Sequence, residues 1–414
     1  MINIKKLLAL LLSALMILSL ATACGEKEVV IPDEDGWVAT WAAAQLVAGP
    51  NETPINPALK ENTVRQQIRV NIGGDKIRLT LSNEYGDIPA QFESVHIAHL
   101  LNAGENAIDP ATDTVVTFNG GETSVDVPNG QTITSDEIDF SFDALDDLAI
   151  TIKLGRFAGS SPTSHTGARC STWIISGDHV ADESFEAEET MVSWYFISEL
   201  DVWAEAGTKT VVLFGDSITD GYGTTPNQFE RWSDEMTRLF QANPEYKNIT
   251  VANEGIGGNS IFGGNGTAAK DRFDRDVLNI AGARYVILLI GINDIGYAGE
   301  DISDSMIEQY KIMINKCHEK GIKIYAGTIT PVGGNGYYSD LHEKIRVKLN
   351  DWFKSKSSGF DGVIDFAELI ADPNDPSTML AEYSNDNLHP GISGYKKMGE
   401  YAYQRLLEIW AEEK

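Results

Sequence analysis

The chain has 414 residues, of which 42% are hydrophobic and 22% charged, and its formal charge is −29. That length accommodates two domains with separate cores, in a composition typical of globular proteins. The acidic balance argues against nucleic acid and against electrostatic adhesion to anionic lipid, because both would be repelled, and it reads most simply as a well-solvated surface.

At the N-terminus, Lys5 and Lys6 precede an apolar run over 7–20 and then Ala21-Thr-Ala-Cys24. A basic start, a short apolar stretch and small residues before a cleavage point predict a secretory signal, too short for a comfortable membrane span. Ending on Cys24, the segment resembles a bacterial lipoprotein signal, with Ala21 where leucine is commoner. That resemblance implies removal of residues 1–23 and lipidation of Cys24, a membrane anchor without a spanning helix. Plain secretion is the alternative. Residues 24–36 then form a polar tether.

From 37 to 205 the pattern has period two. Val64, Ile68, Val70 and Ile72 alternate with polar residues, and after Gly73-Gly74-Asp75 so do Ile77, Leu79 and Leu81. This predicts a hairpin with one buried face. A second hairpin is expected around Asn119-Gly120-Gly121, between 115–118 and 124–127. Strands are also expected over 94–101, 148–153, 171–175 and 190–197. Many short strands with turn signals indicate an all-β sandwich.

From 206 to 414 the period changes. Strands are expected over 211–214, 249–252, 285–290, 322–326 and 363–366. Helices are expected over 229–241, 268–280, 303–319, 341–353 and 391–412. Such alternation predicts an α/β domain whose parallel sheet is covered on both faces, with its site at the carboxyl ends of the strands. Cys170 and Cys317 fall in different domains and belong to no CxxC or Cys/His cluster, so each reads as a buried free thiol.

The first strand of that domain breaks at Gly215-Asp216-Ser217, which delivers Ser217 to the sheet edge as the candidate nucleophile. A serine needs a base, an orienting acid and oxyanion donors. His389, three residues after Asp386 and just before the last helix, supplies an imidazole with a carboxylate able to reach its other nitrogen. Gly258, after the second strand, offers a backbone N–H, and Asn293, after the third, a side-chain amide; with the Ser217 N–H they form a three-donor cradle. Each motif alone reads as a turn or cap, and it is their convergence on one sheet edge that favours chemistry. The elbow G-x-S-x-G is absent, since Thr219 holds its last position. Asp216 is expected to hold the serine loop by hydrogen bonds.

Gly215-Asp216-Ser217, Gly258 within N-E-G-I-G-G-N, Gly291-x-Asn293-Asp294 and Asp386-x-x-His389 together resemble the SGNH, or GDSL-type, esterases over about 207–412. The resemblance implies a flavodoxin-like three-layer α/β/α fold without metal or cofactor. In it Ser217 would be the nucleophile, His389 the base, Asp386 the orienting acid, and Gly258 and Asn293 oxyanion donors. Trp37-Val-Ala-Thr-Trp41, Asn83-Glu84-Tyr-Gly86, Arg231-Trp232, Arg272-Phe-Asp-Arg275-Asp276 and Asp365-Phe366 are similar to a subfamily in which a β-sandwich precedes the catalytic domain. That subfamily includes an esterase from a rumen bacterium's xylan-degradation gene cluster, which implies acetylated polysaccharide as substrate.

Two other readings stand beside it: a lipase or lysophospholipase-type acylhydrolase, and a carbohydrate-binding lipoprotein using exposed aromatics among Trp37, Trp41, Trp173 and Trp194. Asn83, Arg231 and Trp232 are possible cleft residues, although structural roles are the simpler expectation. His96 and His99, three apart on a strand, should face opposite ways and bind no metal together. Gly264-Asn-Gly266-Thr-Ala-Ala269 does not directly follow a strand and implies no cofactor.

Overall fold

A strand-rich region comes first, built from two larger antiparallel sheets and a small third one of Ser193–Tyr195, Thr163–Thr166 and Leu46–Val47. The computed structural model describes residues 34–156, 159 and 162–412; the expected signal segment and Cys24 lie outside them. One sheet runs Glu189–Met191, Thr172–Ser176, Asn62–Arg69, Asp147–Leu154, Ala90–His99, Thr114–Val115, with Val125–Val127 also paired to Ala90–His99. The other runs Gly36–Ala42, Ile197–Ala204, Gly74–Ser82, Thr132–Thr134, with Ile138–Phe142 beside Gly74–Ser82. Alternate side chains point inward, so Ile68, Val95 and Ile150 from one sheet meet Ile77, Leu79 and Leu200 from the other in a single apolar core.

The structure corrects both expected hairpins. Asn62–Arg69 and Gly74–Ser82 belong to different sheets and pair with other strands. Between them the chain crosses over, and Thr40 Oγ1 accepts the N–H groups of Asn71 and Ile72 at 3.2 and 3.1 Å. Both faces of Asn62–Arg69 are buried, and the buried Arg65 guanidinium is satisfied by Asn106 O, Asp182 O and Thr151 Oγ1. At Asn119-Gly120 the turn is closed by one bridge, Phe118 to Glu122, while the flanking strands pair with Ala90–His99 instead. Expected strand 190–197 is divided at Val192 and again at Phe196, whose φ is 64°, into Glu189–Met191, Ser193–Tyr195 and the start of Ile197–Ala204, each in a different sheet.

In the second half five strands form a wholly parallel sheet in the order Ile249–Gly255, Lys209–Gly215, Ala283–Leu289, Lys323–Gly327, Gly362–Ile364. In sequence terms this is 2-1-3-4-5, the doubly wound order in which ligands bind beyond the carboxyl ends of the strands. Trp232–Ala242 packs with Ile392–Glu412, and Ser303–Glu319 with Asp340–Lys354, all against the apolar sheet. The expected helix 268–280 is Ala269–Phe273 followed by a wider π turn, Asp274–Leu278. The expected helix 229–241 starts late, at Trp232, because Phe229 has a φ of 53° and the Arg231 N–H is held by Asp234.

The two halves make one compact unit. Gly36–Ala42 lies along the open edge of the parallel sheet: Thr250 donates to Ala39 O at 2.7 Å, Asn71 to Val251 O at 2.6 Å, and Ala43 bridges Asn253. An edge strand that could otherwise recruit a foreign strand is thereby covered.

Cys170 and Cys317 are buried and free, and burial pushes both thiols up to about 12. Trp41, Trp173 and Trp194 are interior, so three of the four tryptophans needed for an exposed sugar-binding face are unavailable to it. His96 pairs with Asp113, and His99 with Ser141 O and Asp146, in separate places. Among the described residues no helix is long and apolar enough to cross a membrane.

Gly255 closes its strand with no room for a side chain: a Cβ there would stand 2.3 Å from Asp220 N. Gly255→Ala should therefore destabilise the fold by about 1–3 kcal/mol. Denaturant unfolding measures this, and an unchanged midpoint would contradict the close approach.

Candidate active site

Lys209–Gly215 is flanked by a strand on each side, so its end is fixed from both directions. It stops at Gly215, where a Cβ would come 2.5 Å from Leu289 O. Asp216 caps the one-turn helix Ser217–Asp220 by accepting the Ile218 N–H at 3.0 Å, the holding role expected for it. Ser217 is thus presented at the carboxyl end of the sheet.

Across the site, Ser217 Oγ lies 2.8 Å from His389 Nε2, and His389 Nδ1 lies 2.7 Å from Asp386 Oδ2. The second Asp386 oxygen accepts the backbone N–H groups of Leu388 and His389 at 2.9 and 2.8 Å. Burial alone would raise the Asp386 carboxyl, but the bonds from the His389 ring and these two N–H groups outweigh it and hold the carboxyl below its ordinary range. An ionised Asp386 fixes the proton on Nδ1, which leaves Nε2 free to accept from the serine. The loop itself is closed by Ser384, whose hydroxyl donates to His389 O at 2.8 Å and accepts the Asn387 N–H at 2.9 Å. Tyr222 backs the imidazole, ring to ring at 4.3 Å.

Gly258 has a φ of 75°, and its loop is tied down by Asn259, which donates to Asn265 O and Thr267 O, and by Asp294, which accepts the Ile261 N–H. The N–H groups of Ser217 and Gly258 have no acceptor among the described residues. Asn293 donates from Nδ2 to Asn259 O at 2.8 Å, and its Oδ1 accepts the Tyr337 hydroxyl at 3.2 Å. These two contacts set the amide one way round and leave one Nδ2 hydrogen unused. Gly258 and Asn293 border a cleft of about 600 Å³, also lined by Phe262, Tyr297, Ala298 and Ile302.

Arg272 underlies all of this. Fully buried, it donates to Gly215 O and Glu254 O at 2.9 Å each and to Asn259 Oδ1 at 3.0 Å, and it pairs with Asp276 at 2.9 Å. Two strand ends and the Gly258 loop are joined by one guanidinium.

The structure therefore brings together Ser217, His389, Asp386, Gly258 and Asn293. It does not bring the three possible cleft residues to them. Asn83 is buried with its amide on Ile88 O and Val127 O; Trp232 is buried beneath Phe366; Arg231 is turned inward onto Asp220 O and Ala168 O. All three satisfy backbone or fill the core, which leaves nothing to face a ligand. Among the described residues no group of three or more His, Cys, Asp and Glu side chains is placed to hold a metal. Tyr337, Tyr222 and Asp220 escaped the sequence reading, because a tyrosine or aspartate in a loop carries no spacing that ties it to a distant motif.

Burial raises the Asp216 carboxyl from 3.8 to about 7. Between those values the folded chain holds a proton that the unfolded chain has lost, so stability falls as pH rises through this window. Asp216→Asn keeps the cap acceptor and removes the titration. The decline in unfolding free energy from acid to neutral pH should shrink in this variant, measured by denaturant unfolding across pH; a profile identical to the parent's would contradict the assignment.

Residues 213–397 match the model of the GDSL-like Lipase/Acylhydrolase family. No curated protein matches the chain. Similar solved structures include a G-D-S-L family protein from Desulfitobacterium hafniense, 25% identical over 47% of this chain and 98% of that one, with a TM-score of 0.38. A lipase/acylhydrolase from Enterococcus faecalis is 21% identical over 48% and 95%, TM-score 0.39. An acetyl xylan esterase from Geobacillus stearothermophilus is 19% identical over 49% and 94%, TM-score 0.37. The stretch 213–397, in which Ser217, Gly258, Asn293, Asp386 and His389 all lie, is similar to the GDSL-like lipase/acylhydrolases.

Proposed function

We propose that the chain is a serine hydrolase of carboxylic esters, and that its substrates are O-acetyl groups on plant-type polysaccharide. The observation that carries the ester chemistry is the 2.8 Å contact of Ser217 Oγ with His389 Nε2, itself backed by Asp386. Ser217 Oγ attacks the acyl carbon while Nε2 takes its proton. The oxyanion that forms is met by the N–H groups of Ser217 and Gly258 and by Asn293 Nδ2. Collapse expels the alcohol, which receives the proton from Nε2. Water then attacks the acyl-enzyme, giving a proton to His389, and Ser217 leaves with that proton as the carboxylic acid is released.

For the substrate, support comes from Tyr297 and Phe262, 80% and 43% exposed at the cleft beside Gly258 and Asn293. Their faces suit the apolar face of a sugar ring. Ser260, Asp294 and Glu300 line the same cleft, and a long acyl chain would have to desolvate them without offering hydrogen bonds. The glycan reading is preferred over a lipid ester on that ground. We further propose that the enzyme works outside the cytoplasm, held to the membrane through lipid on Cys24; Cys24→Ala should shift it from the membrane fraction to the soluble one.

Ser217→Ala should abolish turnover of an acetyl ester, and activity retained in that variant would refute the nucleophile. In Tyr337→Phe the Asn293 amide loses the donor that orients it, so kcat should drop by about 10-fold, less than the 10²–10³ expected from loss of a whole oxyanion donor. Steady-state kinetics with wild-type kcat would show that Tyr337 does not hold Asn293. On a series of chromogenic acyl esters, rates should peak at acetyl and fall with chain length; a maximum at long chains would move the substrate to lipid.

A further inference from the structure

His165 belongs to Thr163–Thr166, a strand of the N-terminal region, yet it reaches the serine turn. The side chain is buried, with Nδ1 2.7 Å from Ala44 O and Nε2 3.2 Å from Asp220 Oδ1. A carbonyl oxygen only accepts, so Nδ1 must carry hydrogen. The contact between Nε2 and a carboxylate oxygen then holds only with a second proton between them. His165 and Asp220 are thus joined by a hydrogen bond closed off from water, 4% and 5% exposed at their side chains.

Asp220 is the last residue of the Ser217–Asp220 turn, and its other oxygen accepts the Gly257 N–H at 3.2 Å, one residue from Gly258. A single carboxylate therefore ties the serine turn to the loop of the second oxyanion donor, and His165 fixes that carboxylate. The residues just after His165 grip the same place. Ala168 O receives Arg231, which also donates to Asp220 O at 2.8 Å. Arg169 O accepts the Asn227 N–H at 2.8 Å, and the Arg169 guanidinium lies 5.5 Å from the Tyr222 ring that backs His389.

We infer that His165 is a positioning residue of the hydrolytic site, acting through Asp220 on Ser217 and Gly258, so that the strand-rich region completes the active site. This rests on the serine-hydrolase reading above. The region's contribution is then to geometry at the reacting centre, where displacements of an ångström cost large factors in rate.

The test uses the full chain and three variants. His165→Gln removes the imidazole from the pair, and Asp220→Asn removes the carboxylate with no change of shape. Asn71→Ala deletes a bond across the same boundary, to Val251 O, that does not touch the serine turn. In His165→Gln and Asp220→Asn, kcat on an acetyl ester should fall by about 10- to 100-fold with KM within about two-fold. Amide exchange over 217–222 and 255–258 should quicken in both. Asn71→Ala should keep kcat within about two-fold and leave that exchange unchanged, whatever it loses in Tm. Wild-type kcat in either pair variant, or an equal loss in Asn71→Ala, overturns the inference. Should His165→Gln fail to fold, the isosteric Asp220→Asn decides. If the parent chain hydrolyses no ester, the serine-hydrolase reading fails by itself, and the exchange comparison still decides whether His165 orders the two loops.

Discussion

The guanidinium of Arg272 lies wholly out of water and directs its donors at Gly215 O, Glu254 O and Asn259 Oδ1, with Asp276 as counter-charge. A buried arginine is tolerated only where its charge is paired and its donors are filled, and removing a partner from such a pair costs about 3–5 kcal/mol. The constraint fixes the ends of two neighbouring strands and the loop after the second. Ser217 stands two residues beyond Gly215, and Gly258 one before Asn259. The relative placement of Ser217 and Gly258, the proposed nucleophile and oxyanion donor, follows from where this one side chain finds its acceptors.

Around that anchor the site is assembled from charge that burial makes unfavourable elsewhere. Asp216, Glu254 and Asp294 are all raised above the ordinary carboxylate range, chiefly by burial. Asp386 alone among the site's acids is held down, by three hydrogen bonds from its own loop. The acid paired with the imidazole is thus the one left partly exposed, while Asp216, Glu254 and Asp294 lie so deep that burial outweighs the donors and cations around them. Local unfavourable terms of this kind gather at functional sites and are offset by packing around them, here by the apolar core beneath the parallel sheet.

What the sequence made legible divides along physical lines. The parallel strands and the helix 303–319 could be read because apolar periodicity and chain order determine a doubly wound sheet with little ambiguity. Ser217, His389, Asp386, Gly258 and Asn293 could be read because each sits at the end of such an element, where topology alone brings them to one edge. The hairpin expected over 64–81 failed because alternation reports which face of a strand is apolar and says nothing of which strand lies beside it. Asn83, Arg231 and Trp232 take the interior roles that were the simpler expectation for them, because polar and aromatic side chains in a motif serve the interior as readily as a ligand. His165 left no signal at all: its partner Asp220 is distant in sequence, and only the packing of the two halves brings them within reach.

The central claim is that one serine carries the ester chemistry, and covalent trapping tests it most directly. The parent chain would be titrated with a fluorophosphonate, the modified peptide mapped by mass spectrometry, and acetyl-ester hydrolysis followed in the same samples. The account predicts a single adduct, on Ser217, and hydrolysis that falls in proportion to its occupancy. Hydrolysis that persists with Ser217 fully modified, or that falls with an adduct on another residue, would contradict it.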